Sequence, residues 1–124
     1  MARDFAADIN DPIAREIVNN VGVWVDKEVK PVASDFEHAD EFPEPLLKGM
    51  SDMGLFGIKI PEQYGGLDLS FECYSGVCIE LARGWMSLAG IINTHVLVGY
   101  AISEYGTDEQ KNHYLPLLVE PAIR

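Results

Sequence analysis

Apolar residues recur at every third or fourth position along most of this chain, in stretches that Pro and Gly residues separate from one another. This spacing places apolar side chains on one face of a helix, where they can form a core. No run of six or more residues alternates apolar with polar side chains in the way that a half-buried strand does. The pattern predicts an all-α fold, an irregular bundle of about five helices in a single domain over residues 1–124.

The first helix is predicted to begin at Pro12. Asp11 can cap it, and proline at the first helical position loses only an N–H that has no partner. The apolar stripe of this helix continues to Phe36, but Pro31 removes a backbone hydrogen bond inside it. We therefore expect a kink or a restart near Lys30.

A short second helix over residues 46–53 is predicted to close at Gly54 in the left-handed conformation. The apolar run over residues 55–61 is then expected to be extended. Paired glycines at positions 65–66 permit a tight reversal of the chain, and a third helix follows and ends or bends at Gly84.

The last two predicted helices lie on either side of Gly106. The fourth helix runs from about Ser87 to Tyr105. Thr107 and Gln110 have the spacing of a capping box, so the fifth helix is expected to begin at once. This helix is expected to carry Tyr114, Leu117 and Leu118, and Pro116 is expected to limit its length.

Residues 84–103 carry no formal charge, and this stretch of twenty residues is long enough for a transmembrane helix. They include Asn93, Thr94 and His95, however, and polar groups at that density are costly in hydrocarbon unless other helices satisfy them. We therefore expect a helix that is buried on most sides in a soluble domain, with no membrane partner. His95 is interpreted as a core histidine bonded to a neighbour, while Asn93 and Thr94 need partners that a ligand or another helix could supply.

The chain is strongly acidic, with nine Lys and Arg residues against twenty Asp and Glu residues and a formal net charge of -11. This field repels phosphate backbones and anionic membranes, which argues against nucleic-acid binding. Cys73 and Cys78 point in different directions at helical spacing and are not expected to form a disulfide. The first residues resemble no signal or transit peptide, so a cytoplasmic protein is expected.

Individual residues give little indication of chemistry. Residues 54–57 lack the third glycine of a dinucleotide fingerprint. No Cys/His cluster has zinc-ligand spacing, so no metal site is predicted. Trp24 and Trp85 are interpreted as core anchors rather than as side chains that stack on a cofactor. From the residues alone, no catalytic residue and no cofactor-binding residue is predicted.

Four motifs resemble the acyl-CoA dehydrogenase family, in the order that the family has them. The most specific is the second, which is similar to the family's GLxGxxxPxxYGG turn at almost every position. The resemblance as a whole covers residues from about 13 to 121. The motifs are Glu28–Ala33, Met53–Gly66, Glu80–Gly84, and Tyr105–Lys111 followed by Tyr114–Pro116.

The resemblance implies the N-terminal helical domain of a flavoenzyme that also has a middle β domain and a C-terminal helical bundle. In that family the β domain holds FAD, and a C-terminal glutamate takes the α-proton of an acyl-CoA thioester while a hydride passes to FAD. Electron-transfer flavoprotein is the expected electron acceptor, and a homo-oligomer is expected. This chain is expected to supply one wall of the acyl pocket and to be inactive alone. The expected substrate-binding residues are Gly90, Asn93, Thr94 and Leu97.

Two alternatives remain open at this point. A flavin monooxygenase or an acyl-CoA oxidase of the same fold would share these motifs, because the residues that separate the activities lie in the other domains. A stand-alone helical interaction module is the alternative outside the enzymes.

Overall fold

A computed structural model describes residues 5–120. Within these residues there is no strand, and the predicted all-α fold is confirmed. The first two helices are joined without a break by a π-helical turn, Val25–Val29, so the described residues form five helical stretches, as predicted. The helices are α1 (Pro12–Trp24), α2 (Lys30–Ala39), α3 (Glu44–Asp52), α4 (Phe71–Gly84), α5 (Met86–Tyr105) and α6 (Asp108–Val119).

The described residues divide into two compact units. The first comprises residues 5–43 and 70–89, and the second comprises residues 44–69 and 90–120. Helix α5 contributes its first four residues to the first unit and the others to the second. A single domain over residues 1–124 stays a prediction.

In the first unit, α1 packs against α4. Asp11 caps α1 by accepting a hydrogen bond from the Ile13 N–H, and Ser70 caps α4 in the same way. The two helices approach closely at Gly76, where a Cβ would lie 2.7 Å from Cγ2 of Val18. The buried side chains include Ala14, Val18, Val21, Val25, Val29, Cys73, Val77 and Leu81.

The interruption predicted near Lys30 is confirmed and is the π-helical turn. The Lys30 N–H donates to the Val25 carbonyl, five residues back, instead of to the usual partner four residues back. Pro31, which follows, has no N–H to donate, and its ring would clash with the carbonyl four residues before it in a regular helix. The wider turn accommodates the ring without ending the helix.

Arg83 links α4 to the end of α1. Its guanidinium donates to Asp26 at 2.7 Å, to Glu80 at 2.8 Å and to the Gly22 carbonyl at 3.2 Å. Lys30 contacts the same Asp26 carboxylate at 2.7 Å. The hydrogen bonds from Arg83 and Lys30 lower the pKa of Asp26 to about 2.

Because this pKa is lowered in the folded protein, Asp26 contributes stability above its unfolded pKa near 3.8. That contribution is lost as the pH falls from about 4 to about 2. We expect Asp26→Asn to flatten the pH dependence of the urea unfolding midpoint across this window. Asp35→Asn, which removes an exposed carboxylate from α2, is the control. Equal pH dependence in Asp26→Asn and the wild-type chain would contradict this role.

In the second unit, α3 is followed by Gly54 in the left-handed conformation, with φ of 75°, as predicted. The extended run expected over residues 55–61 is wrong. The N–H groups of Gly57, Ile58 and Ile60 each donate to the carbonyl three residues back, so the chain coils into 3-10 turns. Coiling lets side chains from the whole run be buried, whereas a strand would send alternate ones to opposite faces. The buried side chains are Leu55, Phe56, Ile58 and Ile60.

The tight reversal at the paired glycines is confirmed. Gly65 has φ of 92°, which favours glycine. Gly66 is needed for a different reason, because a Cβ there would lie 1.9 Å from the Ile60 carbonyl oxygen. After the reversal, the Leu67 N–H donates to the Gly57 carbonyl and the Asp68 N–H donates to the Ile60 carbonyl.

Helix α6 begins with the predicted capping box, in which Thr107 and Gln110 exchange hydrogen bonds. The helix includes Leu117 and Leu118, as predicted, and ends at Val119, three residues after Pro116. Tertiary packing offsets the lost backbone bond: Leu118 is buried in a cluster with Ile60 and Leu115, and Val119 packs against this cluster.

Helix α5 is much more exposed than expected. Only 28% of its most apolar stretch is buried, so the prediction of burial on most sides is wrong. The helix is long and apolar enough to cross a membrane, a criterion that core helices of soluble proteins also meet. The absence of charged residues suggested that this helix is buried, but it does not show which residues cover the helix.

Candidate functional site

The four predicted substrate-binding residues lie together on one exposed side of α5. Gly90, Asn93, Thr94 and Leu97 are all exposed, and Leu97 keeps 64% of its accessible surface. Their spacing of three to four residues places them on one side of the helix, and Ala101 continues it. We call these five residues the α5 face. The structure brings the predicted residues together, and substrate binding by them stays a prediction.

The uncharged part of the α5 face is long enough to contact an elongated ligand. From Gly90 to Ala101 it has no ionisable side chain, and at 1.5 Å per residue this distance is roughly 16 Å. Glu104, one turn later, is the first charged residue in line with it. The face can therefore contact an apolar chain over several turns before meeting a charge.

Gly90 and Thr94 define the surface of this face. No atom lies within 4 Å of the position that a Cβ would take at Gly90, so the space beside it is open. The Thr94 hydroxyl donates to carbonyls of its own helix, with Gly90 O at 3.2 Å and Ile91 O at 3.0 Å. The partner expected in a ligand or another helix is thus in α5 itself. The lone pairs of the Thr94 hydroxyl oxygen can still accept a hydrogen bond from a ligand.

Gly90 is expected to reduce the stability of the chain. Glycine inside a helix costs about 0.5–1 kcal/mol relative to alanine, and no atom opposes a methyl group at this position. Gly90→Ala should raise Tm in a thermal melt by about 2–4 °C. Gly76→Ala is the control, since its methyl group would meet Val18 at 2.7 Å and should lower Tm. A Gly90→Ala chain that melts at or below the wild-type temperature would contradict the open space at this position.

His95 lies on the buried side of α5 and is only 7% exposed. Its Nε2 atom lies 2.7 Å from the carbonyl oxygen of Leu118 in α6. Its ring packs edge to face on Phe56, with the ring centroids 4.9 Å apart. The interpretation of His95 as a core histidine bonded to a neighbour is confirmed.

Sequence reasoning missed a groove in the first unit, with a volume of about 330 Å³. Trp85 forms part of its lining, donates its indole N–H to Glu37 at 2.6 Å and stacks on Phe36. These contacts attach α2 to the α4–α5 junction. Trp85 is only partly buried, as is Trp24, so neither lies in the core as expected. No local motif marks the groove, because its residues come from separate helices. The lining residues are Ala33, Ser34, Glu37, His38, Trp85, Met86 and Ser87.

Most groups among the described residues that could bind the pyrophosphate of FAD are already engaged within this chain. A pyrophosphate needs free cations or open helix N-termini. Among residues 5–120, five of the seven Lys and Arg side chains bond to carboxylates or carbonyls of this chain, and Asp11, Ser70 and Thr107 cap three of the helices. No group of three His, Cys, Asp or Glu residues in this range is placed to hold a metal ion. The five engaged cations are Arg15, Lys30, Lys48, Lys59 and Arg83.

Comparison with known proteins gives a consistent result. The family model described as "Acyl-CoA dehydrogenase, N-terminal domain" matches residues 11–121. An acyl-CoA dehydrogenase of Bacillus subtilis (strain 168) is 40% identical over 93 residues, which cover 74% of this chain and 24% of that protein. A 3-(aryl)acrylate reductase of Clostridium sporogenes is 35% identical over 103 residues, covering 82% of this chain and 26% of that protein.

A solved structure agrees with the sequence comparisons. The structure of a glutaryl-CoA dehydrogenase from Mycobacterium smegmatis in complex with FADH2 superimposes with a TM-score of 0.77 at 28% identity, covering 88% of this chain and 28% of that one. The chain thus spans about a quarter of the length of these relatives.

Proposed function

The chain belongs to the acyl-CoA dehydrogenase family as its N-terminal domain, and on this premise we propose that the α5 face forms one wall of an acyl-CoA pocket. The proposed activity of the whole protein is α,β-dehydrogenation of acyl-CoA thioesters. In this proposal the chain supplies shape and exclusion of water, and it is inactive alone.

The observation that carries the proposal is the exposed α5 face. Removing a proton and a hydride from neighbouring carbons requires a site from which water is excluded. A helix side that is uncharged for roughly 16 Å and has open space at Gly90 can pack along an acyl chain. Thr94 adds a hydroxyl oxygen that can accept a hydrogen bond from an amide N–H of the ligand.

The cofactor and the partners follow from the family. FAD is proposed to be held by the rest of the protein, because five of the seven described cations and three of the six helix N-termini are already engaged within this chain. Electron-transfer flavoprotein is proposed as the acceptor and a homo-oligomer as the assembly. A reducing compartment such as the cytoplasm is proposed, in agreement with Cys73 and Cys78, which form no disulfide with each other.

A reductive direction is the second candidate. The Clostridium sporogenes relative, similar over 82% of this chain, is named a reductase. An acyl wall contributes to either direction in the same way, because it contacts the chain and not the electrons. The direction is therefore set outside the α5 face.

The experiment uses the protein encoded by the complete reading frame, purified with FAD. Under anaerobic conditions, saturated acyl-CoA thioesters of graded chain length are added and flavin absorbance is followed. Bleaching by at least one thioester, with slow reoxidation by air and fast reoxidation by electron-transfer flavoprotein, is the expected result. Rapid reoxidation of the flavin by oxygen with release of peroxide would instead identify the protein as an oxidase.

Two results would contradict the proposal. The first is a flavin that no thioester bleaches and that no enoyl thioester reoxidises. The second is a reading frame that encodes no flavin-binding segment, which would favour the stand-alone interaction module.

A further inference from the structure

The last turn of α6 lies after a break in its own hydrogen-bond ladder. Pro116 has no N–H, so it cannot donate to the carbonyl of Asn112 as a residue at this position normally does. The helix continues to Val119 beyond this missing bond, and the Glu120 N–H donates to the Pro116 carbonyl at 3.4 Å. The segment after the missing bond also has contacts from outside α6, because Leu118 is buried in a cluster with Ile60.

His95 provides the polar contact of this kind. The Leu118 carbonyl is among the last four of α6, which have no regular partner inside the helix. His95 Nε2 lies 2.7 Å from it, and since a carbonyl only accepts, this nitrogen carries the proton. The His95 side chain of α5 thus supplies a hydrogen-bond donor to the C-terminal end of α6.

The ring of His95 is fixed from a second direction by the segment that follows α3. Phe56, which is 1% exposed, packs edge to face on the ring with an interplanar angle of 71°. Gly99, one turn further along α5, lies close to Ile60 and Leu118, so a Cβ there would be 3.4 Å from Ile60 Cγ1. The buried side of α5 is therefore fixed on both the 55–60 segment and α6.

We infer that His95 is a positioning residue that sets the rotation of the α5 face about the helix axis. His95 follows Thr94 directly in the chain, and one residue corresponds to about 100° around a helix. A rotation of about 20° would move side-chain atoms of the face by roughly 2 Å. Displacements of about 1 Å can cost 100-fold in rate when they misplace a substrate. This inference rests on the proposed function of the α5 face.

Three variants of the full-length holoenzyme separate positioning from packing. His95→Leu fills much of the ring volume but leaves the Leu118 carbonyl without its donor. His95→Gln keeps an N–H donor at nearly the same distance. Val96→Ala is the matched control, because it removes buried volume from the neighbouring residue on α5 and leaves the histidine in place.

We expect His95→Leu to raise KM for long-chain thioesters about 10-fold more than for short-chain ones. His95→Gln should restore most of the wild-type ratio. Val96→Ala should lower Tm while leaving the ratio of the two KM values unchanged. The inference is overturned if His95→Leu keeps the wild-type ratio, or if Val96→Ala changes the ratio equally.

Hydrogen exchange gives a readout that does not depend on the proposed activity. In the same full-length proteins, His95→Leu should speed amide exchange in peptides covering residues 90–101 and residues 115–120, and His95→Gln should exchange like the wild-type protein. If exchange follows this pattern and no thioester reacts with the wild-type protein, the proposed function fails while the coupling of α5 to α6 stands. Unchanged exchange in His95→Leu overturns the inference itself.

Discussion

Replacing Gly66 with alanine should destabilise the protein by about 3 kcal/mol, a fall in Tm of roughly 10 °C. The added methyl group would lie 1.9 Å from the Ile60 carbonyl oxygen, a backbone atom that cannot rotate away. That carbonyl accepts the Asp68 N–H, and the Ile60 side chain belongs to the core cluster of Leu115 and Leu118. Moving it disturbs both the reversal and the core. Urea and thermal unfolding of the full chain measure the effect.

Gly65→Ala is the matched control, because it changes the neighbouring glycine of the same turn. The nearest atom to a Cβ at this position is 3.9 Å away, so only the left-handed backbone opposes alanine. We expect a loss of about 1 kcal/mol. A Gly66→Ala chain that loses no more stability than Gly65→Ala would show that the close approach to Ile60 is not a constraint.

The second large effect concerns activity. Gly90→Leu should place a side chain in the open space of the α5 face and reduce kcat/KM for long-chain thioesters by about 100-fold in the full-length enzyme. Short-chain thioesters should lose much less, because their acyl chains need not extend along the whole face. Steady-state kinetics across a series of chain lengths measures this difference.

Gly90→Ala and a melting curve are the controls for Gly90→Leu. Both variants replace a helical glycine and should be at least as stable as the wild-type protein, so a loss of activity in the leucine variant cannot come from unfolding. Equal losses of kcat/KM for short and long thioesters, or no loss for either, would show that Gly90 does not line the acyl pocket.

Features decided by local chemistry could be predicted from the sequence. The Asp11 cap and the Thr107–Gln110 capping box depend on residues within one turn, and the left-handed closure at Gly54 depends on the absence of a side chain. The interruption before Pro31 follows from a missing N–H, although its form as a π-helical turn does not.

Features decided by packing between distant residues could not be predicted. The run after Gly54 has the composition of a strand, and it coils because coiling buries more of its side chains. Leu118 and Val119 of α6 pack near Ile60, more than fifty residues earlier in the chain, and no local pattern indicates this contact.

The candidate site was predictable in part. Helical spacing places Gly90, Asn93, Thr94 and Leu97 on one side, and the family resemblance singles them out. The exposure of that side could not be predicted. An uncharged helix side can be covered by other residues of the same chain or by another surface, and the sequence does not distinguish the two. The bond from His95 to α6 joins residues 23 apart, and no spacing rule indicates it.

The most direct test of the acyl wall is photo-crosslinking in the full-length protein. An acyl-CoA thioester with a photoreactive group near the end of its acyl chain is bound and irradiated, and the labelled residues are mapped by mass spectrometry. We expect labelling of α5 at Leu97 or its neighbours on the α5 face, suppressed by excess unlabelled thioester. Competable labelling that spares residues 90–101 and falls elsewhere in the protein would contradict it.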